Sequence, residues 1–277
     1  MRFVTLVENT CVPGFGCAHG LSIYIETSKH KILFDAGPDG ELLISNAEKM
    51  GIKLSEVDIA IISHGHYDHT GGLSGFLKLN SSAKIYMHTL AYNRRHFATE
   101  NCGWRYIGPD MELLKNYSQR IILTEDFLSI DDELALFSRI PTTDLLPDGN
   151  SSLYEEVNGE NVSDSFLHEQ NLIICDGGKS ALFAGCAHRG IINIIRGFNE
   201  IIGKHPDYVI SGFHLTNPGL KIDAPDELVF AVANELIKYP CRYYTGHCTG
   251  ERPFLLLKSM LGENLHALKG GLEETLL

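Results

Sequence analysis

The sequence predicts an α/β fold in four layers, two mixed β-sheets packed face to face with helices outside (an αββα sandwich). Three observations point to it. Short apolar runs of strand length alternate with segments of helical spacing. The alternation starts twice, and each half opens on paired strands. The length, 277 residues, is near the upper limit for one hydrophobic core. We therefore expect a single domain over residues 1–277, with an insertion at about 90–165 that covers a site.

Arg2 to Glu8 is apolar and β-prone, and the Gly- and Pro-rich stretch Cys11 to Gly20 reads as a loop. Leu21–Glu26 and Lys31–Asp35 read as strands joined by a short turn. Gly40 to Met50 has helical spacing. Asp58 to Ser63 is a short apolar strand of the kind buried on both faces. A helix is expected over Leu73–Leu79 and a strand over Lys84–His88. Residues 90–165 are irregular and carry Phe97, Trp104 and Tyr106. Strands resume at Asn171–Cys175 and Ser180–Ala184 around an Asp-Gly-Gly turn. A helix follows at Ile191–Ile202, a strand at Tyr208–Ser211, a helix at Pro225–Lys238 and a strand at Arg242–Thr245. The chain closes with a helix at Arg252–Leu261 and a strand at Leu265–Leu268.

Apolar content of 44% and charged content of 21% are ordinary for a globular chain. The net charge of −12 opposes nucleic-acid phosphates, so no nucleic-acid partner is expected. No apolar run approaches the ~18 residues of a membrane helix, and Met1 to Glu8 does not read as a signal peptide. The expected location is cytoplasmic, with no membrane partner. The seven cysteines (Cys11, Cys17, Cys102, Cys175, Cys186, Cys241 and Cys248) include no C-x-x-C pair and are expected as free thiols.

The chemistry concentrates in His64-Gly65-His66-Tyr67-Asp68-His69. In an extended chain, side chains at i and i+2 share a side, so His64 and His66 can address one ion from a strand end. The chain then turns into a helix, where Asp68 and His69 can address a second. Imidazoles with one carboxylate suit zinc, manganese or iron better than calcium or magnesium.

Ser63 to Gly72 resembles the H-x-H-x-D-H signature of the metallo-β-lactamase superfamily. That resemblance implies a dinuclear metal centre of two divalent transition-metal ions, zinc first and manganese or iron as alternatives. It also implies that Asp35 supports the centre without being a ligand and that His247 is the late ligand to the second ion. Hydrolases of the superfamily usually carry Gly-Asp after the strand of the second half, whereas this chain has Gly185-Cys186-Ala187-His188. His188 is the natural substitute, Cys186 is a further candidate read more readily as a small buried residue, and His168 competes with His188 for the first ion. The stretches Gly14–Ser22, Gly185–Gly190, Gly212–Leu215 and His247–Gly250 resemble the subgroup named for 7,8-dihydropterin-6-ylmethyl-4-(β-D-ribofuranosyl)aminobenzene 5′-phosphate synthase.

These readings imply a metal-dependent enzyme acting on a phosphorylated or ester small molecule, a hydrolase or a pterin-diphosphate transferase. Asp68 and His214 are the candidate catalytic groups, and His19 and His214 the candidate substrate contacts. Phe97, Trp104 and Tyr106 are candidate stacking surfaces. The alternative is a non-hydrolytic small-molecule-binding or redox metalloprotein of the same fold. The sequence leaves a homodimer open.

Overall fold

The computed structural model describes residues 1–100, 103–141, 144–217 and 219–276. Cys102 lies outside the described residues. Seven strands form the first sheet in the order Glu273–Thr275, Arg2–Val7, Ser22–Glu26, Lys31–Phe34, Ile59–Ile62, Lys84–His88, Ile121–Thr124. Seven form the second, in the order Leu265–Ala267, Arg242–Thr245, Tyr208–Ile210, Lys179–Phe183, Asn171–Asp176, Leu134–Phe137, Phe127–Ser129. Each sheet mixes antiparallel hairpins with a run of parallel strands.

Strand period two explains the layers, because odd and even residues leave opposite faces. Phe3, Ile23, Phe34 and Ile61 point inward and meet Leu136, Leu172, Phe183 and Ile210 of the second sheet. Their strand neighbours Val4, Leu33, Ala60 and Ile62 point outward onto Leu43 and Phe76, from the helices Gly40–Lys49 and Leu73–Leu79. The second sheet buries Ile173, Leu182, Val209 and Tyr243 against Ile194, Phe198, Val232 and Leu257 of the helices Ile191–Ile202, Asp226–Leu236 and Glu251–Leu261. The four-layer αββα sandwich expected from the alternation is the fold.

The stretch 90–165 departs from its reading as one irregular insertion. Ile121–Thr124 lies in the first sheet, and Phe127–Ser129 and Leu134–Phe137 lie in the second. These strands are three or four residues long, too short to show a period among acidic flanks. What stands outside the sandwich is a separate sheet ordered Glu160–Ser163, Leu153–Val157, His96–Glu100, Gly103–Tyr106. No helix among the described residues is long and apolar enough to cross a membrane.

Candidate metal centre

Parallel strands release the chain at one edge of each sheet, and loops there are the usual place for ligands in α/β folds. Asp35 follows Lys31–Phe34, and His64 to His69 follow Ile59–Ile62. Cys186 and His188 follow Lys179–Phe183, His214 follows Tyr208–Ile210, and His247 follows Arg242–Thr245. The two sheets thus bring five segments, distant in sequence, to one rim. Asp35, Ala187, His214 and His247 all take positive φ, at 56°, 55°, 49° and 50°. Such backbone costs free energy and gathers at functional sites.

Two groups of side chains adjoin. His64, His66 and His188 form the deep flank, with ligand atoms within 4.8 Å of one another. His64 Nε2 lies 3.1 Å from His66 Nδ1. In the outer flank, His69 Nε2 lies 3.2 Å from His247 Nε2 and 3.2 Å from Cys186 Sγ. The Asp68 carboxylate is 3.3 Å from His247 Nε2, 3.7 Å from His69 Nε2 and 3.3 Å from His19 Nε2.

The hydrogen bonds behind these rings assign their tautomers. Asp35 accepts from Ser63 N and Ser63 Oγ, each at 2.7 Å, and from His69 Nδ1 at 2.6 Å. The single Ser63 hydroxyl proton is therefore spent on Asp35, and Ser63 Oγ accepts from His64 Nδ1 at 2.8 Å. Asn9 Oδ1 accepts from His247 Nδ1, and Asn150 Oδ1 from His188 Nδ1, both at 2.9 Å. Each of these four rings carries its proton at the back and turns a bare Nε2 to the centre. This is how metal-ligating histidines are normally held.

The bare Nε2 atoms of His69 and His247 face one another at 3.2 Å and repel unless a cation lies between them. Two nitrogens on a tetrahedral zinc ion stand about 3.3 Å apart, from Zn–N bonds of ≈ 2.0–2.1 Å. His188 Nε2 and both nitrogens of His214 are buried without a hydrogen-bond partner. The residues present therefore fit divalent ions of the borderline class.

Charge follows the same division. Burial first, then neighbouring imidazoles, pushes His64, His66 and His188 well below the usual histidine range, which favours the neutral ring in all three. Burial opposes the charge on Asp68, but His69 with the hydrogen bonds from His19 and His247 holds its carboxyl well below the carboxylate range. Burial also works against the His69 cation, yet Asp35 and Asp68 keep that ring above the ordinary histidine value.

His168 and His188 have different hydrogen-bond settings. His188 stands in the deep flank with His64 and His66. His168 Nδ1 accepts from Gly65 N at 3.1 Å, so its proton is on Nε2, 3.2 Å from Asp164 Oδ2. No lone pair of His168 is left for an ion. Cys186 is buried as expected, and its sulfur faces the outer flank. Gly185 explains the close approach of the two halves: a Cβ there would lie 2.2 Å from Ser63 Oγ.

A cavity of about 980 Å³ opens over the centre, lined by His19, His66, Asp68, His188, His214 and His247 among others. Its far wall is the outlying sheet, through Ala98, Trp104, Arg105 and Leu153. Of the three expected stacking residues only Trp104 lines it. Phe97 and Tyr106 are paired across the strands and pack on each other 5.6 Å apart, on the face opposite Ala98 and Arg105. Sequence reasoning missed Asn9, Asn150, Glu169 and His96. Glu169 accepts from the backbone of His188 and Arg189 and fixes that loop. None of these residues sits in a local pattern that marks it.

A fold of two face-to-face sheets with a histidine–aspartate rim defines a metal-dependent enzyme class. The sequence profile of the metallo-beta-lactamase superfamily matches residues 15–220, and the chain belongs to that superfamily. Among curated proteins it is similar to the 7,8-dihydropterin-6-methyl-4-(beta-D-ribofuranosyl)-aminobenzene-5'-phosphate synthase of Methanocaldococcus jannaschii, at 30% identity over 93% of this chain and 90% of that one. Among solved structures it is similar to Tm1679, described as a metal-dependent hydrolase of the beta-lactamase superfamily. The TM-score there is 0.83 at 26% identity, covering 100% of this chain and 99% of that one. Zinc-bound PqqB from Methylobacterium extorquens shares the fold, with a TM-score of 0.53 at 16% identity over the whole of both chains. The protein is a metal-dependent enzyme of this superfamily.

Proposed function

We propose that the chain is a single-domain enzyme with a dinuclear centre that acts on a phosphorylated small molecule, by hydrolysis or by transfer with a diphosphate leaving group. The observation that carries this reading is the convergence of buried ring nitrogens in two adjoining flanks, with the bare Nε2 atoms of His69 and His247 face to face in one of them. His64, His66 and His188 would hold one ion; Asp68, His69 and His247 would hold the other, with Cys186 as an added ligand. Zinc is the first expectation, ahead of manganese and iron. The bound ions would supply Lewis-acid polarisation and neutralise charge developing on oxygen.

The rest is the work of this chain's side chains. His214 is buried beside His188, with ring centroids 4.1 Å apart and both nitrogens unpartnered. It is placed to give a proton to a leaving group or to bind a phosphate oxygen. His19, tied to Asp68 and 35% exposed, reaches the substrate from the open side. Arg105 brings positive charge to the cavity wall, and Trp104 offers an indole face to an aromatic ring. The similar synthase makes a compound that carries a dihydropterin and a phosphate, which supports a reaction involving both groups.

Two measurements test this. Elemental analysis after metal-supplemented expression is expected to find close to two equivalents per chain, and none would sink the reading. A metal-reconstituted screen of phosphodiesters, diphosphates, lactones and pterin diphosphates is expected to give turnover on a phosphorylated compound. His214→Ala should then lower kcat about 10²–10⁴-fold, with both ions retained. A redox metalloprotein is the second reading, favoured by the sulfurs of Cys186 and Cys248 beside His247. A coloured di-iron form without turnover would select it.

A further inference from the structure

Behind the deep flank lies a second buried group, His66, His96, Asp164 and His168, whose ligand atoms lie within 4.8 Å of one another. Hydrogen-bond accounting assigns it a role. Four of the proposed ligand rings have a named acceptor at the back nitrogen: Ser63 for His64, Asp35 for His69, Asn150 for His188 and Asn9 for His247. His66 is the exception. It turns Nδ1 toward His64, so with an ion held at Nδ1 its proton would sit on Nε2, and that atom is buried without a partner.

The complementary atom stands close by. His96 is 0% exposed, and its Nδ1 donates to Asp164 Oδ2 at 3.1 Å. Its Nε2 is therefore a bare acceptor, and it too is buried without a partner. The two rings meet edge to face, with centroids 5.7 Å apart at 76°. A Cβ on Gly65 would come within 2.7 Å of His96 Nε2, so glycine at this position lets His96 approach the ligand loop. Asp164 is itself held: Oδ1 accepts from Phe166 N at 2.7 Å, and Oδ2 also faces His168 Nε2.

We infer that Asp164 and His96 form a relay that receives the Nε2 proton of His66 and so positions this ring as a ligand. The inference rests on the metal centre proposed above. His96 is a positioning residue, acting through His66. It lies on the strand His96–Glu100, on the face shared with Ala98, which pairs with Arg105 and Leu153. The relay thus fastens the cavity wall to the centre. A third ion in the same group is the rival. It would lack His168, whose Nδ1 is occupied by Gly65 N–H.

The test compares zinc-loaded wild type with His96→Ala, His96→Gln and Asp164→Asn. Zinc equivalents and the two zinc affinities are measured by competition, and ring protons by ¹H–¹⁵N NMR. Wild type is expected to bind two equivalents and show a slowly exchanging Nε2 proton on His66. His96→Ala should weaken one zinc affinity about 10–100-fold, leave the other unchanged and lose that proton signal. His96→Gln, which restores an acceptor oxygen, should recover most of the affinity. Asp164→Asn should fall between them, a graded effect that does not depend on His96→Ala folding. Equal affinities in wild type and both His96 variants would overturn the relay and leave the dinuclear centre standing. Three zinc equivalents in wild type, one of them lost in His96→Ala, would overturn it in favour of a third ion. A wild type that binds no zinc would overturn the relay and the centre together.

Discussion

The deep and outer flanks use the same residue type in opposite electrostatic settings. His64, His66 and His188 are buried rings, and burial with neighbouring imidazoles holds all three below the ordinary histidine range. The outer flank has Asp68 between His69 and His247, Cys186 in contact, and His19 at its open side. An ion in the outer flank would have its charge offset by its ligands. An ion in the deep flank would keep more of its own and polarise a bound oxygen more strongly. The difference teaches that this chain offers an imidazole, His188, and a thiol, Cys186, where hydrolases of the superfamily usually carry an aspartate.

The largest effect should come where the two flanks share a support. Asp35 accepts from Ser63, behind His64, and from His69, all fully buried. Asp35→Ala should cost about 3–5 kcal/mol of folding stability and weaken both ions, as removal of one buried charged partner does. Urea denaturation of the metal-free protein reads this; a loss below about 1 kcal/mol would show that the flanks are supported separately.

Next comes the deep flank alone. His188→Ala should bind one equivalent instead of two and lose turnover, whereas His168→Ala should keep two equivalents and lose thermal stability. Matching metal contents for the pair would undo the division of roles. On the outer flank, Cys186→Ser in the cobalt-substituted protein should abolish the sulfur-to-metal charge-transfer band and lower affinity for one ion about tenfold or more. An unchanged spectrum would remove Cys186 from the ligands.

The smallest effect is a pH slope. Burial leads the causes that hold His64, His66, His96 and His188 below the ordinary histidine value, and it brings His88 to about 4. His30 and His69 are raised, with their aspartate partners outweighing burial. For a ring whose folded pKa is depressed, the unfolded chain binds the proton first, so stability drains away as pH falls below about 6.5. Raised rings act in the opposite sense but are fewer. The denaturation midpoint of the metal-free protein should therefore drop between pH 7.5 and 5.5, and a flat profile would contradict the buried neutral rings.

Local pattern carried much of this protein. The helix Leu73–Leu79, the strand Lys84–His88, the helix Ile191–Ile202 and the strand Arg242–Thr245 follow from periodicity with the bounds that the structure has. The cluster His64 to His69 was legible because strand and helix geometry alone place those side chains. Tertiary structure decided the rest. His188 and His168 differ by which loop end meets His64 across two sheets, and no local pattern encodes that distance. Asn9, Asn150 and His96 matter through the ring nitrogens they face, and a hydrogen bond between residues far apart leaves no mark on either neighbourhood. Short strands such as Leu134–Phe137 take their state from the strands they pair with, because a few residues in isolation cannot repay the entropy of being ordered.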